Sequence, residues 1–138
     1  TAYEIYQCDW SSDVCSSDLK LRPADKEPMV KAGNAYFDGE NYQDAEKWYT
    51  EALAKDAKDI NVRTDLGLTF FLREPRDIER AIKEYKASLA IDPKHEITLQ
   101  NLALAYKEKG DTSDYQKTLD QLRSVNPSNP IFTKVDQK

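Results

Sequence analysis

Cysteine is confined to one end of this 138-residue chain: there are two, Cys8 and Cys15. Past Leu19 there is none, so neither a disulfide framework nor thiol chemistry is available to the rest. His95 is the only histidine. One histidine without cysteine supports no transition-metal site of the usual ligand types; beside Asp92-Pro93 at a helix start it reads as a surface residue. No apolar run is long enough to span a membrane. The four glycines form no phosphate-binding loop, and no nucleophile or paired-histidine motif is present. Carboxylate pairs such as Glu74 with Asp77 and Asp111 with Asp114 suit turns and helix caps better than acid–base work. β-Branched residues are sparse and no segment alternates with a two-residue period, which argues against sheet. These absences point away from an enzyme, and no cofactor and no small-molecule substrate is expected.

The formal net charge is −5, and residues 1–19 supply four acids (Glu4, Asp9, Asp13, Asp18) and no base. Their run Cys8–Leu19 resembles the translation of a short-read sequencing adapter, so 1–19 is expected to be a non-native, disordered segment and is set aside. The remainder has 20 basic against 21 acidic residues, an even mixture that gives no electrostatic case for nucleic acid. An adapter joined at Leu19 implies that upstream coding sequence is missing, with room for a signal peptide, a membrane anchor or further repeats.

What is present is a repeat. Ala32-Gly33 is followed by Tyr36, Ala45, Tyr49 and Ala52. Leu66-Gly67 is followed by Phe70, Ala81, Tyr85, Ser88 and Pro93. Leu102-Ala103 is followed by Tyr106, Tyr115, Leu119, Leu122 and Pro127. The period is 34 residues, with two extra residues in the second unit, placed at Arg73–Arg76. Within each unit the apolar residues recur at helical spacing in two runs. Residues 20–27 read as a linker. Helices are expected around 29–36 and 45–53, then over 61–72 and 77–90, and again over 96–108 and 112–124. Asn41 is a plausible N-cap, and Asp92-Pro93 and Asn126-Pro127 punctuate corresponding helix ends. Residues 130–138 form a tail or a short terminal helix. Gly33, Gly67 and Ala103 let paired helices approach, while Tyr36, Phe70 and Tyr106 fill the space between them.

This spacing resembles the tetratricopeptide repeat (TPR) over roughly residues 26–129, in units of about 26–59, 60–95 and 96–129. The resemblance implies an all-α solenoid of three helical hairpins with a concave inner face. The departures are Met29 and Arg63 where the family often has tryptophan, and Ala57 where the first unit would have proline. Tyr115, at a small-residue position, is expected to loosen or reshape the third pair.

The resemblance also implies a function: non-catalytic binding of a protein or peptide partner on the concave face, as a scaffold or adaptor. The family's ligand-facing positions fall on Glu27, Val30, Lys31, Asn34, Phe37 and Asp38; on Asn61, Thr64, Asp65, Leu68, Phe71 and Leu72; and on Ile97, Gln100, Asn101, Leu104, Lys107 and Glu108. The candidate contact set is Asn34, Phe37, Asn61, Thr64, Leu68, Phe71, Gln100, Asn101 and Leu104. Its amides offer hydrogen bonds to an extended backbone, and Leu68, Phe71 and Leu104 an apolar floor. The alternative is that Leu68, Phe71 and Leu72 belong to the core or pack against the turn with the insertion. A carboxylate clamp for chaperone C-termini is not expected. Its places hold Val30, Asn34, Asp65, Ile97 and Asn101, of which only Asn34 matches, and Asp65 would repel a carboxylate.

Asn61–Gly67 gives a weaker likeness to bacterial repeat proteins with an N-terminal membrane helix. It leaves a second functional reading, the accessory region of a longer membrane-anchored (envelope-assembly) or enzymatic protein, and a location that is either cytoplasmic or membrane-anchored and periplasmic. Self-association through an exposed end is a third. Trp48 is either packed against a missing upstream helix or a partly buried ring at the edge of the first unit.

Overall fold

The computed structural model describes residues 25–135, which form seven helices and no strand. These are α1 (Glu27–Asp38), α2 (Tyr42–Lys55), α3 (Ile60–Leu72), α4 (Ile78–Ile91), α5 (Glu96–Lys109), α6 (Thr112–Val125) and α7 (Pro130–Val135). Consecutive helices pack in pairs (α1 with α2, α3 with α4, α5 with α6), and each pair stacks on the next. The expected segment 1–19 lies outside the described residues. α1 starts at Glu27, ahead of Pro28, which sits in the first turn, where a missing backbone N–H costs nothing.

Short polar side chains set the helix boundaries, and they repeat with the chain. Asn41, Asp77 and Asp111 cap the second helix of each pair, accepting from the backbone N–H of Asp44, Arg80 and Asp114. At the other ends of these helices Asp56, Asp92 and Asn126 each accept from the N–H two residues on, at 3.0–3.1 Å. Asp59 and Asn129 then start α3 and α7 by accepting from Val62 and Ile131. Lys26 reaches over the α2–α3 turn to Asp56 (2.6 Å) and Asp59. These hydrogen bonds and charges hold its ammonium above the ordinary lysine value.

The hairpin turns of the first and third units have the same left-handed residue but different occupants. Gly110 has φ 84°, and in the corresponding place Glu40 has φ 59°, a conformation that strains a residue with a Cβ. Glu40→Gly is therefore expected to raise stability by about 0.5–1 kcal/mol, measured by urea denaturation. No gain would mean that the turn relaxes at no cost.

Two glycines sit directly under aromatic rings of the partner helix. A Cβ on Gly33 would fall 2.6 Å from the Tyr49 ring, and one on Gly67 would fall 2.6 Å from the Tyr85 ring. Both tyrosines are buried. In the third unit the first position is Ala103 and the second is Leu119, so a smaller side chain faces the added methyl. The core runs on from these contacts through Ala45, Leu66, Phe70, Ala81, Leu102 and Tyr106. A second part gathers Leu99, Ala103, Leu119, Leu122 and Phe132, so α7 covers the last hairpin with Phe132. Tyr115 and Leu89 pack against both parts. Tyr115 thus sits half-buried at their junction.

One stretch of core is polar. Thr64 Oγ1 lies 2.7 Å from Thr98 Oγ1, 2.8 Å from the Ile60 carbonyl and 3.3 Å from Ser88 Oγ. His95 Nδ1 continues the series to Thr98 at 2.6 Å. Every hydroxyl has a partner, which keeps the burial of this cluster from being destabilising.

Charged residues occupy two further departures from the repeat pattern, position 63 and the insertion. Arg63, in place of a tryptophan, pairs with Glu84 at 2.8 Å and donates to the Ala57 carbonyl at 2.9 Å. It so ties α3 both to α4 and to the preceding turn. The insertion after α3 reaches in two directions. Arg73 pairs with Glu46 on α2 at 2.9 Å, and Arg76 with Glu108 on α5 at 2.7 Å.

Candidate partner-binding surface

The first helix of each pair carries a stripe of residues at i, i+4, i+7 and i+11 that the packing leaves uncovered or half-covered. On α1 it is Glu27, Lys31, Asn34 and Asp38, all exposed; on α3 it is Asn61, Asp65, Leu68 and Leu72; on α5 it is Ile97, Asn101, Leu104 and Glu108. The stripes are equivalent by the repeat, so they form four rungs across the inner face. Lys31, Asp65 and Asn101 make the second rung, and Asn34, Leu68 and Leu104 the third.

The residues singled out from sequence divide over this geometry. Asn34, Asn61, Leu68, Asn101 and Leu104 lie on the stripes. Asn34 is already engaged, accepting from the Tyr49 hydroxyl at 2.8 Å. Gln100 lies half-buried beside the α5 stripe. Phe37 and Phe71 are half-buried and pack against the core. Phe37 meets Tyr42 edge-on, with ring centroids 5.4 Å apart, and Phe71 lies under the Arg76 guanidinium, 5.5 Å from its ring centre. Phe71 therefore serves the core and the insertion turn as well as the rim of the face. Thr64 must be removed from the set. It is 2 % exposed, with its hydroxyl spent on the buried cluster. The equivalent Val30 and Gln100 stay half-open, whereas Thr64 is closed over by Thr98 of α5 and Ser88 of α4.

Two residues of this face, Ile97 and Asp65, fall at the ligand-facing positions but outside the candidate contact set. Ile97 is 62 % exposed, the most open large apolar side chain of the described residues. Asp65 is half-buried at the centre of the inner face. Burial, with a contribution from the Asp59 charge, pushes its carboxyl up to about 6. The buried phenols of Tyr49 and Tyr85 are both pushed above the ordinary tyrosine value, first by burial and then by the charge of Asp65. A recess of about 430 Å³ between α4, α5 and α6 is lined by residues such as Lys86, Leu89 and Lys117, and by none from the inner stripes.

No protein-family profile and no curated protein sequence matches the chain. Solved structures do. The first TPR domain of Spaghetti (RPAP3), bound to the HSP90 peptide SRMEEVD, superposes with a TM-score of 0.72 at 16 % identity, over 79 % of this chain and 87 % of that one. The TPR2B domain of yeast Sti1, in complex with pHsp70, gives 0.72 at 19 % identity over 81 % and 90 %. The TPR domain of Arabidopsis OM64 gives 0.70 at 20 % identity over 76 % and 85 %. With this agreement in helix order and stacking, the chain has the tetratricopeptide-repeat fold.

Proposed function

We propose that this chain is a non-catalytic scaffold that holds a protein segment, extended or helical, against its inner face. The observation that carries the reading is the exposure of apolar and amide side chains along one surface: Asn61, Ile97 and Leu104 stay open while the opposite face of the same helices is buried. A rigid face of this kind recognises a segment by apolar contact and by hydrogen bonds to its backbone. Two of the similar TPR domains were solved with chaperone-derived partners, an HSP90 peptide and pHsp70, which supports the use of such a face for a peptide. The ligand of this chain is of another kind, since Val30, Asp65 and Ile97 stand where a carboxylate clamp needs cations and an amide.

Selection of random linear twelve-residue peptides on the purified chain tests this. Enriched peptides are expected to lose at least about tenfold in affinity with Leu104→Glu, and to keep it with Lys83→Glu on the outer side. The Leu104 variant should melt within a few degrees of the parent, because the side chain is 36 % exposed. Peptides indifferent to Leu104, or no enrichment at all, would overturn the reading.

A further inference from the structure

We propose that Asp65 is the anchor for a basic side chain, lysine or arginine, of the segment held on the inner face; this rests on the functional reading above. Four observations converge on it. Asp65 sits half-buried in the second rung, on the central stripe. Its carboxylate has no hydrogen bond and no ion pair among the described residues, whereas the part-buried carboxylates of Asp59, Glu46 and Glu84 each pair with a cation. A carboxylate half removed from water and left unpaired is disfavoured, and a cation that binds it offsets that cost. Lys31, its neighbour on the same rung, stays exposed and does not come within ion-pair reach.

The fourth observation is a buried phenol hydroxyl without a hydrogen-bond partner, whose oxygen can accept as well as donate. Tyr49 crosses Gly33 and gives its proton to Asn34, the next residue along α1. Tyr85 crosses Gly67 in the same way, but the next residue is Leu68, which accepts nothing. Tyr85 is fully buried and its hydroxyl has no hydrogen-bond partner among the described residues. By the repeat, that hydroxyl comes up beneath the stripe at Leu68, beside Asp65. The surroundings of Asp65 are thus two phenols, with Asp59 at the start of the same helix adding negative charge. Apart from the exposed Lys31 no cation shares this rung, and a guanidinium or ammonium would complete the charge balance. Arginine suits the position best, since its planar fork can take both carboxylate oxygens.

Four pools of fluorescein-labelled nine-residue peptides, random except for a central Arg, Lys, Gln or Glu, test the proposal by anisotropy at low and at 0.5 M salt. The Arg and Lys pools are expected to bind about tenfold or more tighter than the Gln pool, and the Glu pool weakest of all. Asp65→Asn, which keeps the side-chain shape, should erase the preference without lowering the melting temperature. Lys31→Gln should leave it in place. If the four pools bind alike and still lose affinity with Leu104→Glu, the inner face holds peptides and the role given to Asp65 is wrong. If no pool binds the parent protein, both readings fall together.

Discussion

Phe70→Ala is expected to lower stability by about 3–5 kcal/mol, the cost of a large cavity in a core that cannot collapse around it. Phe70 is 1 % exposed and stands at the centre of the stack, on the middle first helix. Two guanidinium groups cover its ring, Arg80 at 4.1 Å and Arg73 at 5.2 Å from the ring centre, so truncation also removes their cation–π contacts. A domain of this size has a total stability of roughly 5–15 kcal/mol, of which this one change removes a large share. Because each unit is stabilised mainly by its neighbours, losing the middle one uncouples the first from the third. The measurement is chemical denaturation followed by circular dichroism. A loss under about 1 kcal/mol would show that the units are stable separately and that the stack is not the source of the fold.

Gly67→Ala is expected to destabilise by about 1–3 kcal/mol through overpacking, although alanine improves an ordinary helix position by up to about 1 kcal/mol. The sign is reversed because the new methyl would enter the Tyr85 ring, which is fully buried and has no open side to move to. Tyr85→Leu alone leaves a cavity and costs on the order of 2 kcal/mol. The two together recreate the pairing of Ala103 with Leu119 in the third unit, and they should recover most of the loss. The cycle is thus expected to show a favourable coupling of about 1–3 kcal/mol. Additive losses in the four-protein comparison would mean that the clash is relieved elsewhere.

A third expectation follows from Asp65. Its carboxyl is raised in the folded chain to about 6, above the ordinary aspartate value, so folding disfavours its charged form. The stability penalty is full above pH 6, shrinks as pH falls through 6, and is gone below about 4. Asp65→Asn should accordingly be the more stable protein at pH 7 by on the order of 1 kcal/mol or less, after allowance for solvent screening. The difference should close by pH 4. Melting curves of both proteins across that range decide it, and a constant difference would assign the effect to packing.

Much of the fold was legible because its determinants are local or recur at a fixed interval. The caps Asn41, Asp77 and Asp111 and the pairs Gly33–Tyr49 and Gly67–Tyr85 are visible in a single sequence once the period is known. The inner face was less so. Helical spacing gives Thr64 the same direction as Val30 and Gln100, and it does not say that Thr98 and Ser88 close over Thr64 in a buried hydroxyl cluster. Phe71 was ambiguous for a related reason: its surroundings include Arg76, whose placement depends on how the insertion folds. The state of Asp65 could be read only by asking what else comes near it. Its neighbours Tyr49 and Tyr85 lie 16 and 20 residues away in sequence, on different helices. One signal was available but not used, the change from Asn34 to Leu68 at equivalent positions, which deprives one of two equivalent phenols of its acceptor.

The insertion has a mechanical meaning. A stack of helical hairpins bends like a coil spring, each unit tilting against the next. Arg73 fastens the insertion of the second unit to Glu46 in the first, and Arg76 fastens it to Glu108 in the third. One edge of the spring is therefore stitched across all three turns by charge, while the ion pairs elsewhere among the described residues, such as Lys26 with Asp56 and Asp59, reach no further than a neighbouring unit. Bending that opens the stitched edge must break ion pairs; bending toward it need not. The resistance is directional, and it weakens as added salt shortens the range of the charges from about 10 Å at 0.1 M to about 3 Å at 1 M. Ionic strength would then act on the compliance of the scaffold, and hence on the curvatures of segment it can grip, well before it acts on whether the scaffold is folded.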